Sequence, residues 1–165
     1  MSRKATSESS EKELSHNQRL QSVIRHIKIV QDACQKLGLS LIDKGEKEFG
    51  RNLIANSMIH DNSKFFGIEW DCLHPGKDKK ELEMALRQHV TTNKHHPEYW
   101  GGVEKMPEIF LAEMVCDWYA RSVEFGTDLR EWIKNTAYER FEIPPKGKLS
   151  KKIKEFLDLL LEKPF

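Results

Sequence analysis

The sequence predicts an all-α fold, a compact bundle of about five to six helices with a disordered N-terminal tail. Three observations lead to this prediction. Apolar side chains recur at steps of three and four residues along most of the chain, glycines and prolines separate these stretches, and no alternating run is long enough for a strand. The 165 residues match about one ordinary domain and contain no internal repeat, so we expect residues 18–165 to form a single domain.

The N-terminal part of the chain divides into a polar tail and a first amphipathic helix. Residues 1–17 are polar and charged and contain too little apolar surface to offset the entropy of ordering, which predicts a flexible tail. The helix begins near Gln18, and Gly38 predicts its end. Its apolar positions are Leu20, Val23, Ile24, Ile27, Val30, Cys34 and Leu37.

The middle of the chain predicts two further helices and two loops. The second helix closes at the dipeptide His60-Asp61. Residues 66–79 contain glycine, proline and several charges and predict a long loop, after which residues 82–90 resume helical spacing. Residues 91–107 are rich in Asn, His, Pro and Gly, and they predict an ordered functional loop.

The C-terminal part predicts the remaining helices. Pro107 suits the first turn of a fourth helix, and Gly126 ends it. A fifth helix follows Asp128. Ser150 is the expected N-cap of a terminal helix.

Composition excludes several classes of partner. Lysine and arginine number 27 against 26 acidic residues, so no field of one sign recruits nucleic acid or an anionic membrane. The chain has three cysteines, Cys34, Cys72 and Cys116, and no CxxC pair. An odd number of widely spaced cysteines indicates reduced thiols rather than a disulfide framework. No apolar run approaches the roughly 20 residues that span a bilayer. We therefore expect a cytoplasmic protein that binds neither nucleic acid nor membranes.

Side chains suited to metal binding are predicted to face the core or to lie at helix ends. His26 lies close to the apolar stripe of the first helix, and His89 lies on the apolar face of the third. Asp117 shares the apolar stripe of the fourth helix, where a carboxylate is costly unless a cation or hydrogen bonds neutralise it. The full set is His26, His60, Asp61, His89, His95, His96 and Asp117.

This set of imidazoles and carboxylates indicates a catalytic metal site. A single buried histidine is more often a hydrogen-bonded core residue than a ligand, but that explanation accounts poorly for the combination. Mixed nitrogen and oxygen ligands without thiolate also differ from a structural, cysteine-rich zinc site. One ion would take His26, His60, Asp61 and Asp117, and a second would take His89 with His95 or His96 while Asp61 bridges the two.

The order of these residues resembles a known family. His26, His60-Asp61 and Asp117 match the H…HD…D signature of the HD-domain superfamily of metal-dependent phosphohydrolases, over roughly residues 18–125. The family's all-helical fold agrees with the periodicity. The chain as a whole also resembles a group of small uncharacterised phage and bacterial proteins.

Further motifs strengthen this resemblance. Residues 60–64, with the sequence HDNSK, are similar to the HDxGK form of the signature. His89 and the pair His95-His96 resemble the additional histidines of two-metal members, and residues 115–120 resemble the segment around the final aspartate.

The resemblance implies a metal-dependent phosphohydrolase that acts on a phosphate ester of a nucleotide or related small metabolite, with metal-activated water as the nucleophile. It implies one or two divalent ions, which include Mn, Fe, Ni, Zn, Co and Mg as candidates. The four signature residues would be the primary ligands, and His89 and His95 would serve the second site. Lys64 would contact phosphate, although a solvated surface lysine is an equal alternative.

Other candidate catalytic groups have ordinary structural explanations. Glu69, Glu98 and Glu113 are candidate general acids or bases, but we expect solvated surface positions for all three, with Glu98 the best candidate. Arg121 suits a phosphate contact, and a salt bridge to Asp117 or Glu124 explains it equally well.

Two other functions remain open at this point. An HD-fold di-iron oxygenase would use the same ligands, since histidine and carboxylate suit iron. A non-catalytic, metal-binding regulatory protein would retain the ion for stability. The expected partner is a small phosphorylated molecule, and the exposed aromatic residues leave a homodimer open.

Overall fold

The computed structural model of the chain describes residues 3–74 and 76–161, with side chains from His16 onwards. Helix α1 covers Arg3–Asp43, so its backbone begins before Gln18, the start that the periodicity predicts. The sequence predicts a flexible tail over residues 1–17. Most side chains of this segment lie outside the described residues, so its flexibility stays a prediction. The chain then turns through Gly45, which has a positive φ of 95°, into α2 (Lys47–Ser57).

Gly38 does not end the first helix, because it is a packing residue between α1 and α2. A Cβ atom on Gly38 would lie 2.7 Å from the carbonyl oxygen of Gly50, and one on Gly50 would lie 2.2 Å from the carbonyl oxygen of Gly38. Only glycine permits two helix backbones to approach this closely. The predicted stop is therefore wrong, and the pair instead fixes the crossing of the first two helices.

The remaining elements are also helical, and the described residues contain no strand, which confirms the all-α prediction. The segment 66–79, predicted as a loop, contains a short helix. In chain order the elements are a 3₁₀ helix (Asn62–Phe65), α3 (Gly67–Cys72), α4 (Lys79–Thr92), α5 (Pro97–Trp100), a second 3₁₀ helix (Val103–Lys105), α6 (Glu108–Phe125), α7 (Leu129–Trp132), a π-helical segment (Ile133–Ala137), α8 (Tyr138–Arg140) and α9 (Lys148–Leu161).

Several helix ends have clear causes in the sequence. Asp78 and Asp128 each accept a hydrogen bond at 2.9 Å from a backbone N–H in the first turn of α4 and α7. Gly126 ends α6 in the left-handed conformation, as predicted, whereas Pro107 precedes that helix instead of occupying its first turn. Ser150 lies inside α9, which begins at Lys148, so its predicted role as N-cap is wrong.

The apolar core is built around α6, which packs against α1, α2 and α9. Met114 and Val115 of α6 are fully buried, as are Leu37 of α1 and Phe156 and Leu160 of α9. Removing these side chains from water is the main source of stability in such a bundle. Among the described helices, none is long and apolar enough to cross a bilayer.

Candidate metal centre

The dipeptide His60-Asp61 lies just beyond the end of α2, in a tight turn. Helix α2 ends at Ser57, and Asp61 adopts a left-handed backbone conformation with φ of 54°. Non-glycine residues rarely take this conformation, although Asp tolerates it better than most. The turn buries both side chains, with His60 2 % exposed and Asp61 1 % exposed. The pair therefore follows the second helix instead of closing it, and both residues point into the protein.

The carboxylate of Asp61 lies between two pairs of imidazole rings. Its Oδ2 atom is 3.4 Å from Nε2 of His26 and 3.5 Å from Nε2 of His60. Its Oδ1 atom is 3.5 Å from Nε2 of His89 and 3.3 Å from Nε2 of His95. One carboxylate thus faces two histidine pairs that come from four different segments of the chain.

The first group of candidate ligands forms where α1 and α6 meet. Nε2 of His26 lies 3.0 Å from Oδ1 of Asp117, and ligand atoms of His26, His60 and Asp117 all lie within 4.8 Å of one another. Helical spacing places His26 and Asp117 on the inward faces of their helices, as the sequence predicts. The predicted primary ligands therefore converge.

The second group forms where α4 meets the turn that precedes α5. Ligand atoms of Asp61, His89, His95 and His96 lie within 4.8 Å of one another, and Nε2 of His96 is 3.0 Å from Nε2 of His89. The sequence left His95 and His96 as alternatives, and the fold brings both to this group. Burial, with the nearby His95 and His89, lowers the pKa of His96 to about 3, so its ring is neutral near pH 7.

Five buried ligand atoms of these groups lack a hydrogen-bond partner among the described residues. A buried polar atom without a partner costs roughly 1–3 kcal/mol, so several together in a native protein call for a ligand. Imidazole nitrogen and carboxylate oxygen are suitable donors for divalent transition metals. The described residues could therefore hold metal ions. The buried atoms without a partner in the described part of the chain are Nε2 of His26, Nε2 of His60, Oδ1 of Asp61, Nε2 of His95 and Oδ1 of Asp117.

In three of these histidines, the other ring nitrogen, Nδ1, forms a hydrogen bond with a glutamate carboxylate. Nδ1 of His60 lies 2.9 Å from Glu113, and Nδ1 of His89 lies 2.8 Å from Glu69. Nδ1 of His26 lies 3.2 Å from Glu124 in the same way. An ionised carboxylate only accepts hydrogen bonds, so each Nδ1 carries the hydrogen and a neutral ring keeps its lone pair on Nε2. This is the usual arrangement behind metal-binding histidines.

The surface positions predicted for Glu69 and Glu113 are wrong, because each is 4 % exposed. Oε1 of Glu113 also lies 3.6 Å from Nδ1 of His95, so the same carboxylate is close to the imidazole rings of both His60 and His95. Its position four residues before Asp117, on the same face of α6, is a signal that sequence reasoning passed over. Glu69 offers no comparable signal, because the helix that positions it was not predicted.

The electrostatics of the centre reflect the mixture of carboxylates and imidazoles. Burial disfavours the charged form of Asp117, but the close approach of His26 and the charges of His60 and His95 outweigh this effect and hold the carboxyl pKa well below its usual range. Burial lowers the pKa of His26, but interactions with Asp117 and Asp61 outweigh this effect and raise it to about 9. A metal ion at this site would compete with that proton.

Lys64 lies beside the centre instead of on the open surface. Its Nζ atom forms a close ion pair with Oδ2 of Asp61, and its side chain is 11 % exposed. Burial opposes ionisation of Asp61, but the charges of His60 and Lys64 exceed it and hold the carboxyl pKa well below its usual range.

A cavity of about 700 Å³ opens above these groups. His26, His89, His96, Asp117 and Lys64 belong to its lining. Cavities of this size accommodate ligands as large as a nucleotide. Arg121 also lines the cavity and forms an ion pair with Glu124 at 3.2 Å, which is one of the salt bridges that the sequence left open.

Glu98 is not brought to the centre. It is exposed in α5 and does not line the cavity, so the structure gives this candidate acid or base no contact with the metal-binding groups.

Comparison with protein families gives a match over most of the chain. The model of a family described as a family of unknown function, DUF5662, matches residues 15–163. Comparison with curated proteins and with solved structures gives no match. The resemblance to the HD-domain superfamily is not tested by this result and stays a prediction.

Proposed function

We propose that this chain, which belongs to the DUF5662 family of unknown function, is a metal-dependent phosphohydrolase. Its substrate in this proposal is a phosphate ester of a nucleotide or a related small metabolite. The observation that carries the proposal is the set of five buried, unpartnered ligand atoms around Asp61. They lie beneath a cavity whose lining includes lysine and arginine side chains.

The proposal assigns each group of ligands to one ion. His26, His60 and Asp117 would hold the first ion, His89, His95 and His96 would hold the second, and Asp61 would contribute to both sites. When bound, such ions lower the pKa of water towards neutrality and offset negative charge on the phosphoryl oxygens.

The protein's own side chains support the same chemistry. Glu113, Glu69 and Glu124 orient the imidazoles by accepting hydrogen bonds from Nδ1, which leaves each Nε2 lone pair aimed inward. Lys64 places a cation in the cavity lining beside Asp61, where it could offset charge on phosphoryl oxygens. Arg121 is about half exposed, and a phosphate could compete with Glu124 for its guanidinium group.

The cavity favours an organic phosphate over inorganic phosphate alone. Trp70, Trp132 and Phe141 are among its lining residues, and aromatic rings of this kind pack against a base or another planar group. Cationic side chains in the lining also suit the negative charge of a phosphate ester. These features support the hydrolase over the alternatives.

The test is turnover of a panel of phosphomonoesters and phosphodiesters by protein loaded either with manganese or, anaerobically, with ferrous iron, assayed in air and without oxygen. We expect hydrolysis that a chelator abolishes and that does not depend on oxygen. Asp61→Ala should lose metal and activity together, while Asp32→Ala, at an exposed position on α1, should behave as wild type. Circular dichroism checks that both variants are folded.

Three outcomes would contradict the proposal. Unchanged metal content in Asp61→Ala would overturn the ligand assignment. Turnover that consumes oxygen would favour the di-iron oxygenase. A metal-loaded protein without turnover on any phosphoester would favour a non-catalytic, metal-binding regulatory protein.

A further inference from the structure

The cavity extends well beyond the candidate metal ligands, and its outer part contains a second cationic position. Arg19 and His26 lie on the same helix, α1, and both line the cavity. They are seven residues apart, which corresponds to about 10 Å along the helix axis. A group bound at Arg19 would therefore lie on the order of 10 Å from one bound at the metal centre.

Arg19 is held in place by Trp70 of α3. Its guanidinium carbon lies 4.2 Å from the centroid of the indole ring, and its Nη2 atom donates a hydrogen bond to the backbone carbonyl of Trp70. Stacking and hydrogen bonding together restrict a side chain that is otherwise flexible. The remaining N–H groups are thus pre-organised, so less entropy is lost when they bind a ligand.

The charge of Arg19 is not neutralised within the part of the chain whose side chains are described, where no carboxylate pairs with it. The neighbouring Glu69 is already engaged, because it accepts hydrogen bonds from His89 and Ser63. A restrained, half-buried guanidinium that lines a cavity without a counter-ion is suited to bind an anion.

Arg140 also lines the cavity, but it is less suited to this role. Its guanidinium carbon lies 5.1 Å from the Phe141 ring, and its side chain is exposed. Water and salt screen an exposed cation more strongly than a half-buried one.

We infer that Arg19, fixed on Trp70, binds a second anionic group of the substrate. The preferred substrates are then phosphate esters that carry another phosphate or carboxylate on the order of 10 Å from the scissile phosphate. This inference rests on the proposed function for the position of the scissile phosphate. The position of the second anion follows from Arg19 alone.

The test compares two non-hydrolysable ligands of the same length on manganese-loaded protein. Hexylene diphosphonate carries an anion at both ends, and hexylphosphonate carries one at a single end. By calorimetry we expect the diphosphonate to bind wild type at least about tenfold more tightly. Arg19→Gln should reduce this preference to less than about twofold, because the glutamine is neutral.

Two further variants make the assignment specific. Arg25→Gln removes an exposed arginine of the same helix that does not line the cavity, and it should keep the full preference. Arg19→Lys keeps the positive charge but lacks the planar guanidinium group that stacks on Trp70. This variant should keep part of the preference for the diphosphonate. Circular dichroism verifies that each variant is folded.

The inference is overturned if wild type binds both ligands equally or binds neither. It is also overturned if Arg19→Gln keeps the preference, or if Arg140→Gln removes it instead. Failure of the proposed function is a separate result, since it would appear as a lack of turnover on phosphoesters while the preference for the diphosphonate remained.

Discussion

The apolar core around α9 and the candidate metal centre are both buried against α6, but they differ in what they need. Around α9, Phe156 stacks on Phe49 with ring centroids 6.1 Å apart, and the apolar side chains fill the space themselves. Around Asp61, five buried ligand atoms have no hydrogen-bond partner among the described residues. The first region should stabilise the fold to the same extent with or without a ligand, whereas the second should gain stability when a ligand is bound.

The largest effect should come from the apolar core. Phe156→Ala removes a side chain that is 1 % exposed and should lower the free energy of unfolding by about 3–5 kcal/mol. Denaturant unfolding should give the same loss with and without a chelator. Phe125→Ala, at a position that is 71 % exposed, is the control and should change stability by less than about 0.5 kcal/mol. A chelator-dependent loss in Phe156→Ala would contradict the separation of the two regions.

The next effect concerns the pH dependence of chelator-treated protein. The pKa of His26 rises from 6.5 to about 9 on folding, so the folded state binds this proton more tightly than the unfolded state. Its stabilisation is therefore complete below pH 6.5 and lost as the pH rises towards 9, and it amounts to about 3 kcal/mol at most. The pKa of His96 is lowered from 6.5 to about 3, so this residue changes the pH dependence of stability only below pH 6.5.

Variants at two histidines separate this effect from general alkaline destabilisation. His26→Gln should flatten the decline in stability between pH 6.5 and 9. His16→Gln, at an exposed position, should retain it. An equal slope in both variants would mean that His26 is not the group responsible.

Metal addition should stabilise the centre by a smaller amount. At a free metal concentration of about 100 times the Kd, wild type should gain about 2.7 kcal/mol, which raises Tm by about 5–10 °C. His60→Gln should lose this shift, whereas a folded Phe156→Ala variant should keep it. A shift that survives in His60→Gln would place the stabilising ion elsewhere.

The smallest effect should come from a residue behind the ligands. Glu113→Gln weakens the hydrogen bond that orients His60 and removes the negative charge beside His95, and it should reduce metal affinity by about 10–100-fold. Competition with a fluorescent chelator measures this change. Glu98→Gln, at an exposed position, is the matched control. Equal affinities in the two variants would show that Glu113 does not position the histidines.

The sequence predicts most of the helices and the inward direction of the main candidate ligands, because both depend on local spacing. His26, His89 and Asp117 lie on apolar faces of long helices, where a period of 3.6 residues fixes their direction. The pair His60-Asp61 was predicted to close α2, but it lies in the turn after that helix. Its direction depends on the left-handed conformation of Asp61, which spacing does not reveal.

What the sequence does not predict depends on contacts between distant segments. Gly38 indicates a helix end until Gly50 is known to pack against it. Helix α3 has only six residues, too few for a periodic pattern, so Glu69 could not be assigned to His89. Buried carboxylates such as Glu113 look like surface residues in a sequence, because their histidine partners become neighbours only after folding.

The most direct test of the proposed metal centre around Asp61 is the metal content of purified protein by elemental analysis. The proposal predicts about two equivalents of divalent metal per chain of wild type, as in other two-metal sites. Asp61→Asn, which keeps the size of the side chain, should bind almost none, and Asp32→Asn should bind as wild type. Wild type without bound metal, or an unchanged metal content in Asp61→Asn, would contradict the proposed centre.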